Sequence, residues 1–404
     1  MVELWDRIGR MSNAKRALLL SKLPAAVFEK LAVAMPAFAF RMTVDQLSAE
    51  ARLEPSIDPQ RAAPPSMSQS SVLLTGATGF VGAFLLQSLF EGSAATIYCL
   101  VRASGVLEAS QRIRDNAIRY SLPEPQEQRL VPVPGDLEKS RLGLDNHWFD
   151  ELSERVDCIY HCGAQVNWIY PYRRLHGANV HGTHEILRLA TSRRLKPVHF
   201  VSTVGVFSSP EYPTEIVSET EPLENSGALY VGYAQTKWVA EKLVRLAAAR
   251  GLPVAIYRPN VASHSGTGAF NAADHVNLML QGCIQLNLAP DLDMRIDGAP
   301  VDFVADAIVK LAARSNGATY HLVNGSGIAW NDFVSWHVSK GYRITSVPYA
   351  DWRIALQKAI HSGKENALRG LSPFFSDSPF SFARLANFAC DDTMRVLSDL
   401  GVVC

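Results

Sequence analysis

Ser71-Val-Leu-Leu-Thr75-Gly76-Ala77-Thr78-Gly79-Phe80-Val81-Gly82-Ala-Phe-Leu-Leu86 passes from an apolar segment through three spaced glycines into an apolar helical pattern. That order predicts a strand, a tight turn and a helix. Glycine lets the backbone turn sharply and approach a ligand closely, and the first turn of a helix offers unpaired N–H groups to an anion. The glycines fall three apart rather than in the G-x-G-x-x-G spacing, but the physical requirement is the same. Thr75, Gly76, Thr78, Gly79, Phe80, Val81 and Gly82 are therefore candidate contacts to the pyrophosphate of a dinucleotide. A glycine-rich turn without a ligand would read the same in isolation; the pattern that follows it weighs against that reading.

Downstream, strand-like apolar runs at 71–75, 96–101, 130–133, 157–161, 197–202 and 253–257 alternate with helical stretches. Alternation of this kind predicts a parallel sheet covered by helices on both faces. The expected fold class is α/β: a Rossmann-type doubly wound parallel sheet, a smaller and mostly helical C-terminal substrate lobe, and a helical N-terminal extension. Residues 1–53 read as short helices, including Ala14–Leu20 and Val27–Ala34, with Met42–Ala51 near their end. Residues 54–70, rich in Pro and Ser, read as a linker. The nucleotide-binding domain is expected over 71–265, with returns to the sheet at about 299–324 through Val301-Asp-Phe-Val-Ala and Ala318-Thr-Tyr-His-Leu-Val. The lobe is assigned to 266–298 and 325–404.

Composition narrows the function classes. The 404 residues carry 39 Lys+Arg and 39 Asp+Glu, so the formal net charge is zero. Nothing global attracts nucleic acid or an anionic membrane. Hydrophobic residues make up 48%, enough for a large core. The apolar stretch from Leu18 to Phe40 is interrupted by Lys22, Glu29 and Lys30, so no membrane span is expected. The six cysteines lack metal-ligand spacing and several sit in apolar runs. They read as reduced structural thiols, no metal is expected, and a cytoplasmic setting fits them.

Further candidates lie at the predicted strand ends. Arg102 follows the second strand, where a guanidinium would bind the extra phosphate of NADPH and an acidic residue would instead favour NAD. Arg112 and Arg114 are available to assist or to face solvent. Asp136 and Leu137 follow the third strand, placed for the adenine ring, although Asp136 also suits a helix cap. Gly163 and Ala164 follow the fourth, where small side chains admit a cofactor. Pro259 follows the last.

Tyr233-Ala-Gln-Thr-Lys237 supplies the chemistry. Residues at i and i+4 share a helix face. Delivery of hydride to a carbonyl leaves charge on oxygen, which needs hydrogen-bond donors and then a proton. Tyr233 is the candidate donor, Lys237 the ammonium that lowers its pKa and contacts the nicotinamide ribose, and Thr203 a strand-end hydroxyl to the carbonyl. Tyr233 and Lys237 thus serve both catalysis and cofactor binding. Asn179 reads equally as an organiser near the lysine or a plain helix residue.

These residues resemble the extended short-chain dehydrogenase/reductase superfamily. Val166-Asn-Trp168, Pro171-Tyr172-Arg-Arg-Leu175, Asn179-Val-His-Gly-Thr183, Tyr230-Val-Gly-Tyr233-Ala-Gln-Thr-Lys237-Trp-Val-Ala-Glu241 and Gly266-Thr-Gly268 narrow the likeness to thioester reductases, the terminal reductase domains of nonribosomal peptide and polyketide synthases. The resemblance covers about residues 71–330. It implies NADPH-dependent release of an acyl or peptidyl thioester from a phosphopantetheinyl carrier protein, as an aldehyde or onward to an alcohol. It also implies Thr203, Tyr233 and Lys237 as the triad. As an excised domain, the chain is expected to be a monomer. Asn260 stands where the family usually has Gly, and His264 near where an acidic residue is common. Other readings on the same fold are a sugar-nucleotide epimerase or dehydratase, which Arg102 opposes. A fatty acyl-CoA reductase would more often carry a membrane-associated tail. An NADP-sensing regulator would often lack Tyr233 or Lys237.

Overall fold

Strand side chains alternate between the two faces of a sheet, and the first predicted strand divides its residues that way. In the computed structural model, which describes Leu23 and residues 41–66, 70–212, 216–314, 317–375 and 387–404, Leu73 joins one core cluster while Val72 and Leu74 join the other. This strand, β1 (Ser71–Thr75), lies inside a parallel seven-stranded sheet. The other strands are β2 (Thr96–Val101), β3 (Leu130–Pro134), β4 (Cys158–His161), β5 (Val198–Val201), β6 (Val254–Pro259) and β7 (Thr319–Leu322). Their order is β7-β6-β5-β4-β1-β2-β3. β1 therefore sits between β2 and β4, with Thr75 beside Leu100 on one side and His161 on the other. Chain direction across the sheet reverses there, and such a switch point opens a crevice at the carboxyl ends of the strands.

Both faces are covered. On one lie α2 (Phe80–Gly92), α3 (Val106–Arg119) and α9 (Val301–Ala312); on the other lie α1 (Val44–Glu50), α4 (Asn146–Arg155), α6 (Gly182–Ala190) and α7 (Gly232–Ala249). α5 (Tyr172–His176) runs into α6 through a π-helical turn at Gly177–His181. The lobe holds α8 (His275–Leu286), α10 (Trp330–Ser339) and α11 (Tyr349–His361) around its own core of Met279, Cys283, Trp330, Trp352, Leu356 and Leu368. All six cysteines are free, four of them buried. Among the described residues no helix is long and apolar enough to cross a membrane.

Three expectations are corrected. Val301-Asp-Phe-Val-Ala is helix rather than strand. A five-residue window hides the spacing of Val301, Val304, Ala305, Ile308 and Leu311, which all bury on one helical face. The second expected return, at 318–323, does form β7. The stretch read as a linker is pinned over 54–66: Ile57 is fully buried, Ala63 bridges to Arg194, and the Arg250 guanidinium donates to the carbonyls of Leu53, Glu54 and Ile57 at 3.0, 2.7 and 2.8 Å. Finally, residues 387–404 pack on the sheet domain and not in the lobe. Asn387–Phe388 pairs with Ile216–Val217, and α12 (Asp391–Asp399) buries Leu397 against the sheet-domain core. The expected helix near Met42–Ala51 is present as α1, started by a Thr43–Gln46 capping box. The expected helices at 14–20 and 27–34 lie outside the described residues.

The assignment of α12 to the sheet domain is testable. Leu397→Ala should lower the stability of that domain by about 2–5 kcal/mol, read by chemical denaturation. Loss of the lobe's signal alone would show that the tail belongs to the lobe.

Candidate active site

The glycine turn is built by backbone contact. Gly76 has φ +84°, a left-handed conformation, and a Cβ there would fall 2.8 Å from the Gly163 nitrogen. A Cβ on Gly82 would fall 1.9 Å from the Gly76 oxygen, inside a backbone atom. Only glycine fits either place. The Gly79 N–H closes the turn on the Gly76 carbonyl at 2.8 Å, and Gly79 caps α2 with no side chain in the way. The first N–H groups of α2 at Phe80, Val81 and Gly82 therefore lack helical acceptors. Asn116, from α3, braces the turn by donating to the carbonyls of Ala77 and Gly79 at 3.1 and 3.0 Å. The Phe80 ring packs edge-on against Phe84 and Tyr120, so its backbone is the part left for a ligand. Thr78 is half-buried in the turn.

A continuous hydrogen-bond chain leads from this turn to the catalytic helix. Thr75 Oγ1 accepts from the Gly163 N–H at 2.9 Å and lies 2.8 Å from His161 Nδ1. The Thr75 hydroxyl proton therefore goes to Nδ1, which leaves the His161 Nε2–H to donate to Thr183 Oγ1 at 3.0 Å. Thr183 in turn donates to the Asn179 carbonyl at 2.7 Å. Burial, reinforced by Lys237, pushes the His161 imidazole down to about 3, so it stays neutral. The Asn179 side chain donates to the Gln165 carbonyl at 3.0 Å and to Thr236 Oγ1 at 2.9 Å, beside Tyr233 and Lys237. Of its two readings, the organiser is the one these bonds support.

Tyr233 and Lys237 lie in the first turns of α7, and Thr203 follows β5. Thr203 Oγ1 accepts from the Gly205 N–H at 3.1 Å, leaving its own proton for another acceptor. Lys237 Nζ donates to the Val201 carbonyl at 2.8 Å and stands 4.1 Å from the centre of the Phe200 ring. Burial pushes the lysine down to about 8, against the opposing pull of Cys162 and Glu241. Burial also pushes the Tyr233 phenol up, with Cys162 adding to the effect. The expected lowering of the tyrosine by its lysine is not found: desolvation sets the direction, and the phenol is held protonated.

The Arg102 side chain is exposed at the end of β2 and lines a cleft of about 380 Å³ with Ser104, Glu108, Arg112, Asp136 and Lys139. The Arg112 guanidinium donates to the Arg102 carbonyl. Arg114 turns away to Ser110, Gln111 and Glu127 and takes no part. Glu108 is occupied by the Ser104 N–H and hydroxyl, which hold its carboxyl below the usual range. Asp136 Oδ1 accepts from the Glu138 N–H at 3.0 Å, a local turn and not the helix cap allowed for in the sequence, and one carboxylate oxygen remains. Leu137 packs where a Cβ on Gly163 or Gly182 would go, which fixes that edge of the crevice beside Ala164. Pro259 is buried at the end of β6. Of the residues that differ from the family pattern, Asn260 donates to Asp297, while His264 Nδ1 accepts from the Gly266 and Thr267 N–H groups at 2.9 Å each.

One functional feature had no signal of its own in the sequence. Glu241, one turn beyond Lys237, accepts from Ser202 Oγ at 2.7 Å, from Arg258 at 2.6 Å and from Arg245 at 2.9 Å. Burial alone would raise its carboxyl, but Arg258, Arg245 and Ser202 together hold it down at about 2. Arg258 also meets His321 Nε2 at 3.2 Å, and His321 Nδ1 bonds the Ala389 carbonyl at 2.8 Å.

With the geometry in hand, comparison with known proteins identifies the fold's relatives. Residues 74–308 match the NAD-binding family described as "Male sterility protein". The crystal structure of the terminal R domain from the myxalamid PKS-NRPS pathway superposes with a TM-score of 0.83 at 43% identity, covering 89% of this chain and 93% of that one. The chain belongs to the terminal reductase domain family. The reductase (R) domain of a nonribosomal peptide synthetase from Mycobacterium tuberculosis superposes with a TM-score of 0.74 at 27% identity, covering 90% and 93% of the two chains. In sequence, the chain is 41% identical to a linear gramicidin synthase polypeptide of Brevibacillus parabrevis over 89% of its length. It is 34% identical to the L-2-aminoadipate reductase large subunit of Penicillium chrysogenum over 77%. It spans 7% and 23% of the length of those two relatives. The family binds a nicotinamide cofactor, and the glycine turn, with the first N–H groups of α2 left without helical acceptors, fits the pyrophosphate of one.

The Glu241 cluster gives a pH prediction. Its carboxyl titrates lower in the folded chain than the ordinary 4.5, so its contribution is complete above that pH and is lost as pH falls toward about 2. Glu241→Gln leaves Arg258 uncompensated, which should cost about 3–5 kcal/mol at neutral pH. The variant should also lose less stability than the parent between pH 4.5 and 2 in denaturation curves. An unchanged acid limb would remove Glu241 from this role.

Proposed function

We propose that this domain uses NADPH to reduce an acyl or peptidyl thioester, presented on the phosphopantetheine arm of a carrier domain, and releases an aldehyde. The observation that supports this reading is the bond from Lys237 to the Val201 carbonyl, two residues before Thr203, with Tyr233 one turn away on the same helix, on a scaffold shared with terminal R domains. When bound, the nicotinamide supplies the hydride. The Thr203 hydroxyl and the Tyr233 phenol donate hydrogen bonds to the thioester carbonyl, where negative charge develops. Tyr233, kept protonated by burial, passes its proton to that oxygen. Lys237, an ammonium below about pH 8, places a positive charge behind the tyrosine. The product of hydride and proton addition is a thiohemiacetal. Its C–S bond then breaks, the oxygen loses its proton, and the sulfur leaves as the carrier thiol. The same groups serve a second reduction to the alcohol where the aldehyde is retained.

The choice of NADPH rests on the cleft at the end of β2, where Arg102, Arg112 and Lys139 face two carboxylates, Glu108 and Asp136, one of them already engaged by Ser104. Arg102→Ala should weaken NADPH about 10- to 100-fold, the loss of one charge-assisted hydrogen bond, and leave NADH unchanged in fluorescence titration. Equal weakening of both cofactors would unseat the phosphate assignment. Tyr233→Phe should keep NADPH binding and lower turnover about 100-fold or more, measured as NADPH oxidation with an acyl-pantetheine thioester. Near-parental turnover would mean that another group donates the proton.

A further inference from the structure

Val166-Asn-Trp168 lies on the segment between β4 and α5, and the mechanism above leaves its tryptophan without a task. The Trp168 ring meets the Tyr233 ring edge-on, with centroids 6.1 Å apart and planes at 65°. On its other side it lies 4.8 Å from the ring of His275, the first residue of α8. It packs on the lobe's apolar core together with Ile169. The indole is thus the side chain that joins the catalytic tyrosine to the lobe.

Its position is fixed from both ends. Asn167 Oδ1 accepts from the N–H groups of Ile169 and Tyr170 at 3.0 and 2.9 Å, which shapes the turn that carries the ring. Upstream, the Gln165 N–H donates to Asn179 Oδ1 at 2.7 Å. Downstream, the Tyr170 carbonyl presses so closely on Gly232 that a Cβ there would fall 2.2 Å from it. The loop is therefore keyed to the start of the catalytic helix.

Against this fixed setting, the Trp168 indole N–H is buried and has no hydrogen-bond partner among the described residues. A buried donor left unpaired costs about 1–3 kcal/mol, and an indole N–H can only donate. Of the three fully buried tryptophans, Trp238 donates to the Leu223 carbonyl at 3.0 Å and Trp330 to the Pro290 carbonyl at 2.8 Å, while Trp352, in the lobe core away from Tyr233, is unpaired like Trp168. What sets the Trp168 donor apart is its place, between the Tyr233 ring and the lobe core, where a substrate held at Tyr233 would bring an acceptor. The thioester carbonyl itself is taken by Thr203 and Tyr233. The next acceptors along such a substrate are amide carbonyls, on the pantetheine side or on the peptidyl side.

We infer that Trp168 is a specificity-determining residue whose indole N–H binds an amide carbonyl of the thioester substrate close to the reacting carbon. This rests on the thioester-reductase reading, and it is tested separately from it. Three thioesters of one short chain are compared: on N-acetylcysteamine, with an amide on the thiol side; on a plain alkanethiol, with none; and as an N-acyl-aminoacyl ester of the alkanethiol, with an amide on the acyl side. The parent should favour at least one amide-bearing substrate by about 5- to 10-fold in kcat/KM, the range of one neutral hydrogen bond. Trp168→Phe keeps an aromatic wall and removes only the donor. It should abolish that preference through KM, read as the ratio of amide-bearing to amide-free substrate within the variant, so that any general change in turnover cancels. The arm that loses its advantage names the side that carries the carbonyl. An amide preference that survives in Trp168→Phe, or a parent that shows none, overturns the inference.

A second measurement needs no folded variant. In the parent, the indole N–H resonance of Trp168 should shift when a non-reducible thioether carrying the same amide is added, and not with the amide-free thioether. An unmoved resonance at saturation also overturns the inference. Failure of the underlying reading looks different: no NADPH oxidation with any of the three thioesters.

Discussion

A buried ion pair holds the catalytic elements in one frame. Arg258 on β6 and Glu241 on α7 meet at 2.6 Å with neither side chain exposed. Two charges taken out of water are costly unless every lone pair and proton finds a partner. Here the partners are the structure itself: Ser202 at the end of β5, Arg245 one turn along α7, and His321 on β7. His321 stays neutral because burial and the adjacent guanidinium push it down to about 4, so Nε2 can accept from Arg258 while Nδ1–H reaches the Ala389 carbonyl. Thr203 follows Ser202 directly, and Lys237 lies one turn before Glu241. The pair therefore ties the strand end that carries Thr203 to the helix that carries Tyr233 and Lys237. It also explains why the chain beyond 386 returns to the sheet domain: the His321 proton needs the backbone that this tail supplies.

The second constraint is steric. β1 and β4 bring the Gly76 and Gly163 backbones so close that no side chain fits between them. That approach forces polar backbone groups into a buried place at the foot of the switch-point crevice. Thr75, His161, Thr183 and Asn179 satisfy those groups in sequence and end at Thr236 on the catalytic helix. Glycine turn and α7 are thus joined by hydrogen bonds at one side and by the Glu241–Arg258 pair at the other. Trp168 and Val231 pack this frame against the lobe.

Much of this was legible in the sequence because it depends on local rules. Strand periods at 71–75 and 96–101, the glycine spacing, the Tyr233–Lys237 helix face and the strand-end position of Thr203 each follow from neighbours a few residues apart. The failures share a cause. Val301–Ala305 was read in too short a window to reveal its helical period. The 54–66 segment has a linker's composition, yet Arg250, nearly two hundred residues away, ties down its carbonyls. Asn116, His161 and Glu241 look like ordinary polar residues, and only the contacts of distant elements give them work.

The sequence by itself determined the α/β alternation, the glycine turn and the shared helix of Tyr233 and Lys237, because backbone conformation and residue spacing are encoded locally. Tertiary structure alone decided which charges are buried together, which protons each histidine keeps, where the tail docks, and that the Tyr233 phenol is raised rather than lowered. Those properties depend on desolvation and on partners brought together from across the chain, and neither is written in any one stretch of residues.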